Sequence, residues 1–270
     1  MSRARTGAYA LWQLRDYLRD RAIPTVIVGT LSGYLGFEAV VKELPLPRAG
    51  APVSPGLIAQ YGSAEAVHAL RMAQFNYAFL SSILGAIVFV GALFAMNGIV
   101  ANDRKMGFYR FLFAKPVTPS RYYGQAFLLH WAGFMAAMTA LAVIYGLVIW
   151  PLLTRELLVV LALTFLPYAG IAFLLSAAAR WDWLSLVAAS IVSTLLWQRF
   201  GDSSHPLANL LYVLPPLHRV NEIFASIPGG PGAGAPVATP WPLLAWLAGY
   251  GALSFLAGLV VLRYRRLAIV

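Results

Sequence analysis

Six apolar stretches, each closed by polar or turn-forming residues, divide the chain at residues 23–41, 77–101, 123–150, 157–179, 183–197 and 241–262. A helix rising about 1.5 Å per residue needs about 20 apolar residues to cross a hydrocarbon core of about 30 Å. The six reach or approach that length, 183–197 being the shortest. The pattern predicts an all-α integral membrane protein with six transmembrane helices in one transmembrane domain spanning residues 1–270.

The polar stretches between them carry their own signals. In residues 1–22, Leu11, Leu14 and Leu18 fall at helical spacing with Trp12 and Tyr17, while Gln13, Arg15, Asp16, Arg19 and Asp20 take the remaining faces. This predicts an interfacial elbow helix along the membrane surface, with Pro24 turning the chain inward. The alternative is a helical start continuous with the first span. Pro45, Pro47, Pro52 and Pro55 make the first half of the next connection irregular, and residues 56–76 can be helical and lead straight into the second span. Residues 200–240 hold two short apolar runs, 207–214 and 220–227, split by Pro215-Pro216 and followed by a Gly/Pro/Ala linker from Gly229 to Gly234. Neither run can span, so two short outer helices between spans five and six are expected. The first span is expected to be retained, because no small-residue cleavage site follows the N-terminal segment.

Composition agrees with the pattern. The chain is 60% hydrophobic and 11% charged, with mean hydropathy +0.72, where soluble domains carry about 25% charged residues. The net charge of +10 in a membrane protein reports topology and headgroup contact rather than nucleic acid. Sorted by a six-span layout, 14 cations lie on the side of the termini and the second connection and 6 on the other. Both termini and residues 102–121 are therefore expected in the cytoplasm. The tryptophans, Trp131 included, lie mostly near predicted span ends, as an interfacial aromatic belt requires. Cysteine is absent, so thiolate and disulfide chemistry are excluded.

The second connection is more elaborate than a turn requires. Residues 102–121 carry Arg104, Lys105, Arg110, Lys115 and Arg121 against one acid, Asp103, with Phe108, Tyr109, Phe111, Leu112 and Phe113 between them. This is the composition of a short amphipathic helix offered to a partner. Pro116-Val117-Thr118-Pro119-Ser120 then restarts a helix, which Thr118 or Ser120 can cap. Asp103-Arg104, Gly107 and Pro116-Val117-Thr118 together resemble the acid-Arg-x-x-Gly and Pro-[Val/Leu]-[Ser/Thr] elements of permease subunits of the ABC type-2 transporter family. Phe108-Tyr109 differ from the small or acidic residues usual after that glycine, and Gln125 stands where a lysine is common.

The resemblance implies a dimeric exporter subunit, multi-pass in a prokaryotic inner membrane, whose cytoplasmic coupling helix docks on a separate ATPase subunit. Asp103, Arg104, Lys105, Gly107, Phe108, Tyr109, Arg110, Phe111, Leu112 and Lys115 would form that contact, and Arg180 with Asp182 a smaller second one. Spans one, two and five would line the path by the same resemblance. The chain has no Gly-x-x-x-x-Gly-Lys-[Ser/Thr] loop, so ATP and Mg are expected on the partner and no cofactor on this chain. The simpler reading of the basic segment is a loop anchored to anionic lipid, and of Arg180 and Asp182 a polar turn.

Other candidate chemistry is sparse. His68, His130, His205 and His218 show no ligand spacing; His130 reads as a packed or interfacial side chain, His205 and His218 as solvated. Glu38 is the nearest approach to an intramembrane charge, and its spacing to Lys42 suits a helical ion pair. Gly29, Gly33 and Gly36 give span one a small-residue face for a dimer or an intrasubunit contact. An ion-coupled carrier would carry ionisable clusters at mid-span, and a membrane enzyme or assembly factor a clustered catalytic set; neither pattern is present.

Overall fold

Thr118, Thr154 and Ser63 begin their helices alike. Each hydroxyl accepts a backbone N–H three residues on, from Arg121 at 3.4 Å, Leu157 at 3.1 Å and Ala66 at 3.1 Å, satisfying a donor that the first helical turn leaves open. The computed structural model describes residues 11, 13–43, 52–96, 100, 118–148, 152–178, 182–201, 203, 205–209, 217–227 and 239–264. Among them there is helix and no strand. We number the helices α1 (Gln13–Lys42), α2 (Pro55–Tyr61), α3 (Ala64–Tyr77, Ala78–Leu84 and Gly85–Met96 in unbroken succession), α4 (Pro119–Val148), α5 (Arg155–Ala178), α6 (Asp182–Phe200), α7 (Val220–Ala225) and α8 (Trp241–Tyr264).

Four of these, α1, α4, α5 and α8, are long and apolar enough to cross a membrane. The predicted second span forms the later part of α3, and residues 64–77 lead straight into it. The predicted fifth span lies in α6, whose apolar portion, Leu186–Phe200, is shorter than a crossing requires. Of the outer segment, Pro206–Asn209 and Leu217–Arg219 are 3-10 turns, the latter running into α7. That short helix buries Val220, Ile223 and Phe224 against α3. On its exposed side Arg219 donates from Nε and Nη2 to the two Glu222 carboxylate oxygens at 3.0 and 2.9 Å, which holds the guanidinium still more firmly charged.

The expected separate elbow is instead the beginning of α1. Leu18–Ala22 is a π-helical turn in which the Ile23 N–H donates to the Leu18 carbonyl, five residues back. Pro24 has no N–H, and its ring crowds the carbonyl four residues earlier, that of Asp20. The widened turn makes room for the ring without breaking the helix.

α5 is the hub, touching α3, α4, α6 and α8. Its closest neighbour is α8, which runs parallel to it through paired small residues. A Cβ on Gly170 would overlap the Gly251 backbone, one on Gly251 would overlap Leu166 and Pro167, and one on Gly258 would lie 2.7 Å from the Phe173 ring. In hydrocarbon no hydrophobic gain drives helices together, so this close approach supplies the attraction through dispersion. Around it Phe127 faces Phe255 at 4.2 Å, Phe173 faces Phe255 at 4.7 Å and Phe134 faces Phe165 at 4.8 Å between ring centroids. Pro167 frees a carbonyl within α5. Beside it, the Trp131 indole N–H donates to the Ala162 carbonyl at 3.2 Å. Trp131 thus joins α4 to α5 in mid-helix, not at a span end as expected.

The glycine face of α1 is occupied within the subunit. Leu141 of α4 packs on Gly29, Tyr145 of α4 on Gly33, and Ile83 of α3 on Gly36. The Tyr145 hydroxyl also donates to the Gly29 carbonyl. The open question between a dimer and an intrasubunit contact is thereby resolved in favour of the latter. Phe37, Phe75, Phe79 and Tyr145 close this end with centroid spacings from 5.8 to 6.3 Å.

Two predictions follow from these contacts. Gly251→Ala forces a methyl into α5 backbone and is expected to cost about 1–3 kcal/mol, whereas Gly249→Ala, facing open space, stays within about 0.5 kcal/mol. Thermal unfolding of the purified chain in detergent distinguishes them; equal midpoints for the two variants contradict the α5–α8 contact. Tyr145→Phe is expected to lose about 1 kcal/mol with its hydrogen bond, and Gly33→Ala to be better tolerated in that background. A double-mutant cycle with no coupling between positions 33 and 145 refutes this.

Candidate functional site

The basic segment follows the last described residues of α3 and precedes the Thr118-capped start of α4. α1 runs parallel to α4 and antiparallel to α3: Gly29 and Gly33 meet Leu141 and Tyr145, Gly36 meets Ile83, and Arg21 meets Ala95. The first turns of α1 therefore lie beside the last described turn of α3 and the N-terminal half of α4.

Arg21 makes the connection. Its Nη1 donates to the Ala95 carbonyl at 2.6 Å across 74 residues. Ala95 lies in the last described turn of α3, and the bond joins that turn to α1 through a charged donor. One turn earlier on α1, Tyr17 is buried, with its ring filling the notch at Gly133 of α4. The same ring lies 5.0 Å from His130, tilted by 34°. His130 is thus a packed side chain, as expected. Its Nδ1, and Nε2 of Gln125 five residues before it, are buried with no hydrogen-bond partner among the described residues.

Asp103, Arg104, Lys105, Gly107, Phe108, Tyr109, Arg110, Phe111, Leu112 and Lys115 lie outside the described residues, as does Arg180. Asp182 is the first residue of α6, and its side chain is likewise outside the described set. Arg121 is described and exposed at the start of α4. What the structure brings together at this end is Tyr17, Arg21, Ala95, His130 and Gly133. Sequence reasoning took Arg21 only as a topology charge and Tyr17 only as an interfacial aromatic. The sole local signal was the position of Arg21 three residues before a helix proline.

The remaining candidates separate. His205 stacks on Phe200 at 4.7 Å, and its Nδ1 accepts the Leu207 N–H at 3.2 Å. His68 is half-buried on α3. No group of three metal-ligating side chains forms among the described residues. Glu38 accepts a hydrogen bond from the Tyr34 hydroxyl at 3.2 Å in place of the expected ion pair with Lys42. Side chains on a helix lean toward its N-terminus, which brings Glu38 over Tyr34 and away from Lys42. The described ion pairs are Arg19–Asp20 at 3.9 Å and Arg219–Glu222 at 2.9 Å.

No protein-family model, curated protein or solved structure matches this chain.

Replacing Arg21 by Met keeps the apolar stem and removes the donor. Loss of a charged hydrogen bond of this kind is expected to cost about 1.5–3 kcal/mol, with faster amide exchange in the last described turn of α3 and partial recovery in Arg21→Lys. Unchanged exchange at residues 92–96 in Arg21→Met rules out the anchoring role.

Proposed function

We propose that the chain is the membrane-spanning permease subunit of an ATP-driven exporter of the ABC type-2 kind. In this reading it crosses a prokaryotic inner membrane six times with both termini in the cytoplasm. Two copies, or one copy and a paralogue, enclose the path. ATP and Mg bind to separate ATPase subunits, which push on residues 102–121.

The observation that carries the reading is the basic, aromatic segment 102–121, which follows the last described turn of α3, held by Arg21, and precedes the start of α4 that Thr118 caps. A surface-docked helix transmits force only if its flanks are held; Arg21 ties the flank on α3 to α1, and the Thr118 cap fixes where α4 begins. Phe108, Tyr109, Phe111 and Leu112 supply apolar anchors for a small interface, and Arg104, Lys105 and Arg110 supply electrostatic register. The cation asymmetry of 14 to 6 supports placing this end in the cytoplasm.

The test is capture of the ATPase. Tagged protein purified from its own host is expected to bring down a P-loop ATPase chain. Arg104→Glu and Phe108→Ala should each lower that capture about tenfold or more while the permease still reaches the membrane. Recovery of the permease without any such chain, or variants that capture it undiminished, removes the proposal and leaves an ion-coupled carrier or a membrane assembly factor as the competing readings.

A further inference from the structure

One face of α1 packs on α3 and α4 through its glycines, and the other is bare. Ile27, Leu31, Tyr34 and Leu35 are 55, 60, 51 and 66% exposed. On the bare face sits Glu38, partly buried, hydrogen-bonded to Tyr34 one turn before it. At about 100° per residue, positions 27, 31, 34, 35 and 38 fall within one stripe.

Glu38 differs from the other described acids. Asp16 and Asp20 lie in the polar first turns of α1, Glu65, Glu156 and Asp182 at helix starts, Glu43 at a helix end, and Glu222 is paired with Arg219. Glu38 follows apolar turns and stands one turn before the exposed Lys42, yet no cation lies within ion-pair distance of it among the described residues. A carboxylate in an apolar stripe is costly unless its charge is met. Its surroundings specify what fits: a negative group, the π face of a tyrosine beside it, and an aliphatic wall from Ile27, Leu31 and Leu35. A cation favours the carboxylate and the ring together, and the wall favours bulky apolar substituents on that cation.

We infer that Tyr34 and Glu38 form a recognition pair for a lipophilic organic cation on the exposed face of α1. The Glu38 carboxylate binds the charge, the Tyr34 hydroxyl orients the carboxylate, and the aliphatic stripe accepts the apolar groups. Describing that cation as transported cargo rests on the exporter reading above; the binding itself does not.

The experiment uses the full chain purified in neutral maltoside micelles, which contain no cationic headgroups. Tetraphenylphosphonium binding is measured by equilibrium dialysis, with triphenylphosphine oxide as the uncharged counterpart. The wild-type chain is expected to bind the cation saturably, Glu38→Gln about tenfold or more weakly, and Tyr34→Phe about two- to fivefold more weakly, with Glu38→Asp retaining part of the affinity. Binding of the neutral probe should not change among them. Equal cation affinity in wild type and Glu38→Gln overturns the inference, as does the absence of saturable binding. So does efficient disulfide cross-linking of Leu35→Cys between two copies, with Glu38 and Tyr34 intact, that the cation does not inhibit, since this stripe would then be a subunit contact. Tyr34→Phe supplies an independent reading should Glu38→Gln fail to fold. A chain that binds the cation but captures no ATPase retains this site and loses the exporter reading; the reverse result does the opposite.

Discussion

Backbone contact between α5 and α8 is what the rest of the bundle is built upon. Inside a bilayer the lipid tails solvate apolar side chains as well as another helix does, so apolar character alone gives no reason for two helices to adhere. Gly170, Gly251 and Gly258 remove the side chains that would hold these two apart, and dense contact replaces the missing driving force. α5 is then fixed at the centre, with α3, α4 and α6 arranged around it. The phenyl rings at 127, 165, 173 and 255 fill the space on one side of the crossing, each pair adding about 0.5–1.5 kcal/mol.

Helix type and much of the helix placement were legible in the order of residues. Hydropathy marked residues 157–179 and 241–262, and the helices observed are Arg155–Ala178 and Trp241–Tyr264; Thr118 announced the start of α4 and caps it. The packing was not legible. Gly249 and Gly251 look alike in sequence, yet one faces open space and the other presses on α5 backbone. Which does which depends on the rotation of α8 against a helix some eighty positions away. The same is true of Trp131, whose partner is a carbonyl 31 residues on, and of Glu38, whose partner was set by side-chain lean and not by charge. At the candidate site, composition singled out residues 102–121, while Arg21 and Tyr17, which tie the neighbouring helix ends together, carry no motif at all.

Proline marks the two places where helix integrity had to be recovered. At Pro167 the neighbouring helix approaches through a glycine, and a Trp131 indole donates nearby. At Pro24 the answer lies in the chain's own backbone, through the wide turn before it. Both prolines are thus accommodated without ending their helices.

That wide turn also sets a phase. A π-helical turn takes in one residue more than an ordinary one, so the stretch before it is rotated by about 100° relative to the stretch after it. Counted along a plain α-helix, Tyr17 would share the bare stripe of Ile27 and Leu31; the extra residue swings it round to the side of Gly29 and Gly33, where it meets Gly133. The leucines at 11 and 18 are left exposed. The first turns of α1 and its later turns are thus two amphipathic surfaces joined out of step, and the surplus residue between them brings both to bear on the same neighbour, α4.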